Sequence, residues 1–135
     1  MIMIQNEGTG KQKSIKRFIH SFKYPISGLR YAYKNEQNLT FHLLMTICVI
    51  IAGFIFKVTL IEWAILILTI GLVIASELIN TAFEAVVDLV TQEYHPLAKV
   101  CKDTAAAAVL VFAIAAVIVG LIIFIPHIIE FVKVL

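Results

Sequence analysis

From Trp63 onward, an uncharged, largely apolar run continues into residues 76–88, Ser-Glu-Leu-Ile-Asn-Thr-Ala-Phe-Glu-Ala-Val-Val-Asp, which set three acids on what should be a membrane helix. An ionisable group at the bilayer centre costs about 2.5 to 3.5 kcal/mol on insertion scales, so such groups face protein or water rather than lipid. Glu77 and Glu84 are two helical turns apart, with Asn80 and Thr81 between them and Asp88 one turn further on. They form one polar stripe on an otherwise apolar helix. Solvation at the wet end of a span accounts for one carboxylate but poorly for three acids and an amide on one face. Carboxylate and carbonyl oxygens are the ligands Mg²⁺ prefers, with water and substrate phosphates completing its shell.

Composition fixes the surrounding medium. With 61% hydrophobic and 15% charged residues, and a mean hydropathy of +0.96, the chain is an integral membrane protein of one domain's size. Cys48 and Cys101 lack CxxC or Cys/His spacing, which argues against zinc and leaves both as free thiols. Seven of the eleven Lys and Arg precede residue 35, an asymmetry that sets topology and does not point to nucleic acid.

Residues 1–13 are polar, contain Gly8 and Gly10, lack the apolar core of a signal peptide, and are expected to form a mobile tail before a single domain, 14–135. Across 14–34, Ile15, Phe18, Ile19, Phe22, Ile26, Leu29 and Tyr33 recur at helical steps between Lys16, Arg17, Lys23, Arg30 and Lys34. This predicts a basic amphipathic helix in the headgroup plane, kinked near 23–27 by Pro25 and Gly28. Three spans are expected at about 39–56, 60–90 and 104–125, the last ending at Pro126. Pro96 is expected to begin a short helix within the loop 91–103. Glu36 stands in a polar patch before the first span, where a solvated helix end is the plain alternative. His42 reads as an interfacial or packing group, Gly53 as a close-packing position and Trp63 as an interfacial anchor. The positive-inside rule puts the amino terminus, Lys99, Lys102 and every acid of the stripe on the cytoplasmic side, with Lys57, Lys133 and the carboxyl terminus outside.

No phosphate-binding GxxxxGK[ST] loop, HRD or DFG signature, or nucleophile elbow is present. The residues can instead hold Mg²⁺ on Glu36 and Glu84, neutralise phosphate with Lys102, and keep one carboxylate free of metal to take a proton from a lipid hydroxyl. Phosphoryl transfer asks a protein mainly for positioning and charge stabilisation. A small cation- or proton-coupled transporter and a holin-like assembly protein are the competing classes. Acids at the interface rather than at mid-depth argue against the transporter.

The runs 77–88, Glu93-Tyr94-His95-Pro96-Leu97 and Lys102-Asp103, with Gly28-Leu29-Arg30 and Asn35-Glu36, resemble the bacterial diacylglycerol kinase and undecaprenol kinase family over about residues 15–125. The resemblance implies an all-α homotrimer of three-span subunits, each with an amino-terminal surface helix, in the bacterial cell membrane. It implies transfer of the γ-phosphate of MgATP to a lipid alcohol at sites built between neighbouring protomers. By the same resemblance Glu77 is the catalytic base at the lipid hydroxyl, Glu36 and Glu84 bind the metal, and Asn80 supports the site. Tyr24, Glu93, Tyr94, His95, Lys102 and Asp103 match nucleotide contacts, and Arg17 matches a headgroup or phosphate contact. Asp88 is expected to be a structural or lysine-pairing acid, and His95 a loop hydrogen-bonding residue. Ala106 stands where diacylglycerol-preferring members often have serine, and Ala107 where many undecaprenol-type members have glycine. The stretches 89–91 and 95–99 and the alanine run after Asp103 are more similar to the undecaprenol branch. Undecaprenol is therefore the expected substrate, giving undecaprenyl phosphate, with diacylglycerol as the alternative.

Overall fold

The computed structural model describes residues 13–134, so the expected tail lies outside the described residues except for Lys13. Five helices follow in order: α1 (Lys13–Ser21), α2 (Lys23–Asn35), α3 (Gln37–Ile55), α4 (Leu60–Val90) and α5 (Pro96–Val134). The described residues contain no strand. They divide into two units, one ending at Tyr31 and the other beginning at Ala32.

In the amino-terminal unit the helix breaks once, at Phe22, slightly earlier than the proline itself suggests. Pro25 has no N–H to return to the Ser21 carbonyl, so α1 ends at Ser21. Within α2 Pro25 occupies the first turn, where a backbone N–H has no intrahelical acceptor in any case. The apolar stripe of α1, including Ile15, Phe18 and Ile19, is exposed. That suits a helix lying on a membrane surface.

In the second unit three helices are long and apolar enough to cross a membrane. The 19 residues of α3 reach about 28 Å, matching a hydrocarbon core of about 30 Å. The 31 residues of α4 reach about 46 Å, so its acidic end must project beyond the apolar core. α4 is also the most buried span: 33% of its most apolar stretch is covered, against 11% for each of the other two. It packs between α3 and α5, with Leu66 and Val73 among its buried residues.

The turn from α3 to α4 is tightly specified. Val58 N–H returns to the Gly53 carbonyl at 3.1 Å, closing α3 around Lys57, whose φ of 53° lies in the left-handed region. Thr59 then caps α4. Its hydroxyl accepts from the Glu62 N–H at 3.3 Å, and its own N–H donates to Glu62 Oε2 at 2.7 Å. The Trp63 ring lies against Gly53, where an added Cβ would come within 2.6 Å of it. Trp63 is thus a packing residue as well as an aromatic at the end of a span. Val58, Leu66 and Ile123 form the small core at this end of the bundle, with Phe56 and Phe124 against them.

α5 departs from expectation at both ends. It starts at Pro96 without a separate short helix, and it passes through Pro126 to Val134 instead of stopping there. Proline in a helix interior costs about 3 kcal/mol through a lost hydrogen bond and a ring clash. Contacts on either side of Pro126 hold the helix together across that defect. Phe124 and Phe131 both pack against Phe56, with ring centroids 6.2 and 5.8 Å away. His127 Nε2 lies 3.2 Å from both carboxylate oxygens of Glu62.

Candidate active site

The acidic stripe of α4 is buried at Glu77, partly buried at Glu84 and exposed at Asp88. Glu77 is only 1% exposed, and Ser76, Asn80 and Thr81 are buried beside it. Ser76 and Thr81 satisfy their hydroxyls locally, donating to the carbonyls of Val73 and Glu77 at 2.8 and 2.9 Å. Asn80 Nδ2 donates to Glu84 Oε1 at 2.9 Å, which orients the Glu84 carboxylate. Three buried oxygens remain without a hydrogen-bond partner: both of Glu77 and Oδ1 of Asn80. Leaving such groups unpaired costs about 1 to 3 kcal/mol each, so their concentration at one place marks a site prepared for a donor or a cation.

Glu36 caps the amino end of α3 by position, yet its side chain makes no capping hydrogen bond. Its carboxyl is held above the ordinary carboxylate range, first by burial and then by the negative charges of Glu84 and Glu77. The three acids therefore share one electrostatic neighbourhood. Two carboxylates that repel across a partly buried gap match a hard divalent cation, which would relieve the repulsion. No group of three or more Asp, Glu, His or Cys side chains among the described residues forms a self-sufficient metal cage. A cation held by Glu36 and Glu84 thus needs oxygens from elsewhere, as Mg²⁺ on a nucleotide phosphate has.

A cavity of about 280 Å³ opens beside Glu77 and is lined by His42, Asn80, Ala106 and Val109, among others. Asn38, His42, Glu77 and Asn80 make one side of it polar, and Phe41, Ala106, Val109, Leu110 and Ala113 make the rest apolar. His42, expected to be a packing group, places Nε2 3.1 Å from Glu77 Oε1. That is ion-pair distance, although the alignment does not make a hydrogen bond. The available signal for His42 was an ionisable side chain inside a span.

A second, larger cavity of about 420 Å³ lies where α4 meets α5, lined by Asp88, Glu93, Tyr94, His95, Lys102 and Asp103 with their neighbours. Lys102 Nζ donates to Asp88 Oδ1 at 2.6 Å, so Asp88 is a lysine-pairing acid. Lys99 pairs with Asp103 one turn along α5. His95 accepts from the Leu97 N–H at 3.2 Å and thereby shapes the start of α5. Both ion pairs are half-exposed, and exposed pairs are worth only about 0 to 1 kcal/mol. A polyanion can displace either carboxylate at small cost. Arg17 on α1 and Tyr24 on α2 belong to the amino-terminal unit, where both are exposed.

Residues 23–124 match the family described as prokaryotic diacylglycerol kinase. The undecaprenol kinase of Bacillus subtilis (strain 168) is 44% identical over 115 residues, covering 85% of this chain and 94% of that protein. A diacylglycerol kinase of Synechocystis is 50% identical over 101 residues, covering 74% of this chain and 58% of that protein. The diacylglycerol kinase of Escherichia coli K12 is 35% identical over 122 residues, covering 90% and 97%. With its membrane helices, its acidic stripe and matches that cover most of its length, the chain belongs to the prokaryotic diacylglycerol kinase family.

Proposed function

We propose that this protein is a membrane lipid kinase that transfers the γ-phosphate of MgATP to the hydroxyl of undecaprenol, giving undecaprenyl phosphate. The observation that carries this reading is the buried carboxylate of Glu77 beside a cavity with an apolar wall, where His42 Nε2 lies 3.1 Å from Oε1 and Oε2 has no hydrogen-bond partner. Its unpaired oxygen can take a proton from a ligand that enters the cavity, and a lipid alcohol brings a hydroxyl on an apolar chain. Glu77 takes that proton as the alcohol oxygen bonds to the γ-phosphorus, and the bond to the β,γ-bridging oxygen breaks with its electron pair leaving on ADP. Glu36 and Glu84 are the residues to hold Mg²⁺, which would neutralise charge on the phosphates. Asn80 keeps Glu84 in place. Lys102 exchanges Asp88 for phosphate, while Glu93, Tyr94, His95 and Asp103 border the nucleotide; for Tyr24 and Arg17 the proposed nucleotide and headgroup roles rest on the family resemblance alone.

The choice of lipid follows from Ala106, which lines the Glu77 cavity. A serine there could donate to an ester carbonyl of a glyceride, whereas alanine offers no donor. Undecaprenol has only its hydroxyl to satisfy, so an apolar wall suits it. The Bacillus undecaprenol kinase, 44% identical across 94% of its length, favours the same lipid. The 50% identity to the Synechocystis diacylglycerol kinase, over 58% of that protein, keeps diacylglycerol as the second reading. Kinase relatives covered over nearly their whole length leave the transporter and assembly readings unsupported. The protein is further proposed to work as a homotrimer with its amino terminus and active site cytoplasmic.

The test is phosphate transfer from γ-labelled ATP by purified protein, with undecaprenol and diacylglycerol side by side. Mg²⁺-dependent labelling of undecaprenol at the higher kcat/KM is expected. Preferred labelling of diacylglycerol reverses the lipid assignment, and labelling of neither refutes the kinase reading.

A further inference from the structure

Among the described residues, Glu77 has an imidazole on another helix within reach of its oxygens. His42 projects from the first half of α3 and brings Nε2 to 3.1 Å from Oε1, with the histidine side chain 17% exposed and the glutamate 1% exposed. Both residues line the same cavity. Around them Glu36 and Glu84 contribute only negative charge, Asn80 Nδ2 donates to Glu84, Asn38 joins His42 in lining the cavity from α3, and α5 presents Ala106, Val109 and Ala113. His42 thus places a nitrogen that can donate 3.1 Å from a Glu77 oxygen.

We propose that His42 is a positioning residue for the proposed base: its Nε2–H holds Oε1 of Glu77 and leaves Oε2 facing the cavity for the substrate hydroxyl. The inference rests on the lipid kinase reading. A carboxylate with both oxygens unheld can rotate, and a general base must lie within about 2.6 to 3.2 Å of the proton it removes. Catalytic hydrogen bonds are often misaligned before ligands bind and tighten in the reactive complex, which accounts for an approach at bonding distance but poor angle. The proton passes from the alcohol to Oε2, and the imidazole keeps its own proton, so no further acceptor is needed. His42 in this role links α3 to the acid of α4 across a low-dielectric gap, where one oriented donor counts for more than it does in water.

The experiment compares His42→Ala and His42→Gln with the wild type in kcat, in KM for nucleotide and in rescue by added imidazole. His42→Ala should lose roughly 10²-fold in kcat with KM for nucleotide unchanged within a factor of about two. Imidazole should restore part of that loss. His42→Gln, whose amide can donate to the same oxygen, should retain more than a tenth of wild-type kcat even if the alanine variant folds poorly. An unchanged kcat in His42→Ala overturns the proposal, as does a loss that neither imidazole nor glutamine repairs. The pairing is also read without turnover, from the Nε2 resonance of ¹⁵N-labelled His42. It should shift in Glu77→Gln, and an unmoved resonance overturns the pairing whether or not the wild type is active. Failure of the wild type to phosphorylate any lipid, with the resonance shifting as expected, faults the kinase reading alone.

Discussion

At the scale of single residues, two acids of the site carry opposite demands. As the proposed base Glu77 must be an acceptor, so Glu77→Gln, which keeps the volume and removes the acceptor charge, should lower kcat by about 10² to 10⁴-fold while helical content is unchanged by circular dichroism. Retained activity in that variant would refute its assignment as base. Glu36 is different, because burial and the charges of Glu84 and Glu77 raise its carboxyl above the ordinary range. The folded protein therefore binds a proton there more tightly than the unfolded chain. This stabilising contribution is complete below the ordinary carboxylate value and is lost as pH rises through the raised one. In chelator at neutral pH, Glu36→Gln should melt above the wild type, and the gap should close below about pH 4. The same variant should lose at least about tenfold in Mg²⁺-dependent activity, since a neutral amide is a poorer ligand. A wild-type melting temperature that rises between pH 4 and 7 relative to Glu36→Gln would contradict the repulsion.

At the scale of helices, the sequence reported polarity well and interruptions poorly. The acidic stripe was legible because membrane burial makes every charged residue on an apolar helix conspicuous, and α4 runs over Leu60–Val90 as its pattern suggested. Pro126 was misleading. Local propensity ends a helix there, whereas the packing of Phe124 and Phe131 on Phe56 and the approach of His127 to Glu62 carry α5 past it. None of those contacts is visible from one dimension. His42 was missed for the same reason, because its partner lies on another helix. Gly53 was read correctly as a close-packing position, but its partner Trp63 could only be found in three dimensions. Gly53→Leu must displace the indole, an overpacking that costs about 1 to 3 kcal/mol. It should lower the thermal unfolding midpoint in detergent. Trp63 is about 21 Å along α4 from Glu77 at 1.5 Å per residue, so kcat of the folded fraction should stay within about twofold. A drop in kcat without a drop in melting temperature would mean that this end of the bundle is coupled to the site.

At the scale of the whole molecule, the membrane-spanning unit has two chemically distinct ends. One end carries Trp63 with the Glu62–His127 pair, and the other carries the acids, Lys99 and Lys102. The proposed use of cellular ATP needs the second end in the cytoplasm, the orientation that the distribution of Lys and Arg predicts. The two native thiols provide the test. Cys101 lies in α5 beside Lys102 and is partly exposed, whereas Cys48 is exposed on the apolar face of α3. A charged, membrane-impermeant maleimide can reach a thiol at the aqueous end but not one surrounded by acyl chains. It should therefore leave the protein unlabelled in intact cells and label it in inside-out vesicles, and Cys101→Ser should abolish that labelling while Cys48→Ser does not. Saturating nucleotide should slow labelling of Cys101 by severalfold, because the adjoining cavity would then be filled. Labelling of Cys101 in intact cells would put the acidic stripe on the outer face, away from any ATP, and the proposed donor would have to be abandoned even if every carboxylate in the site proved essential.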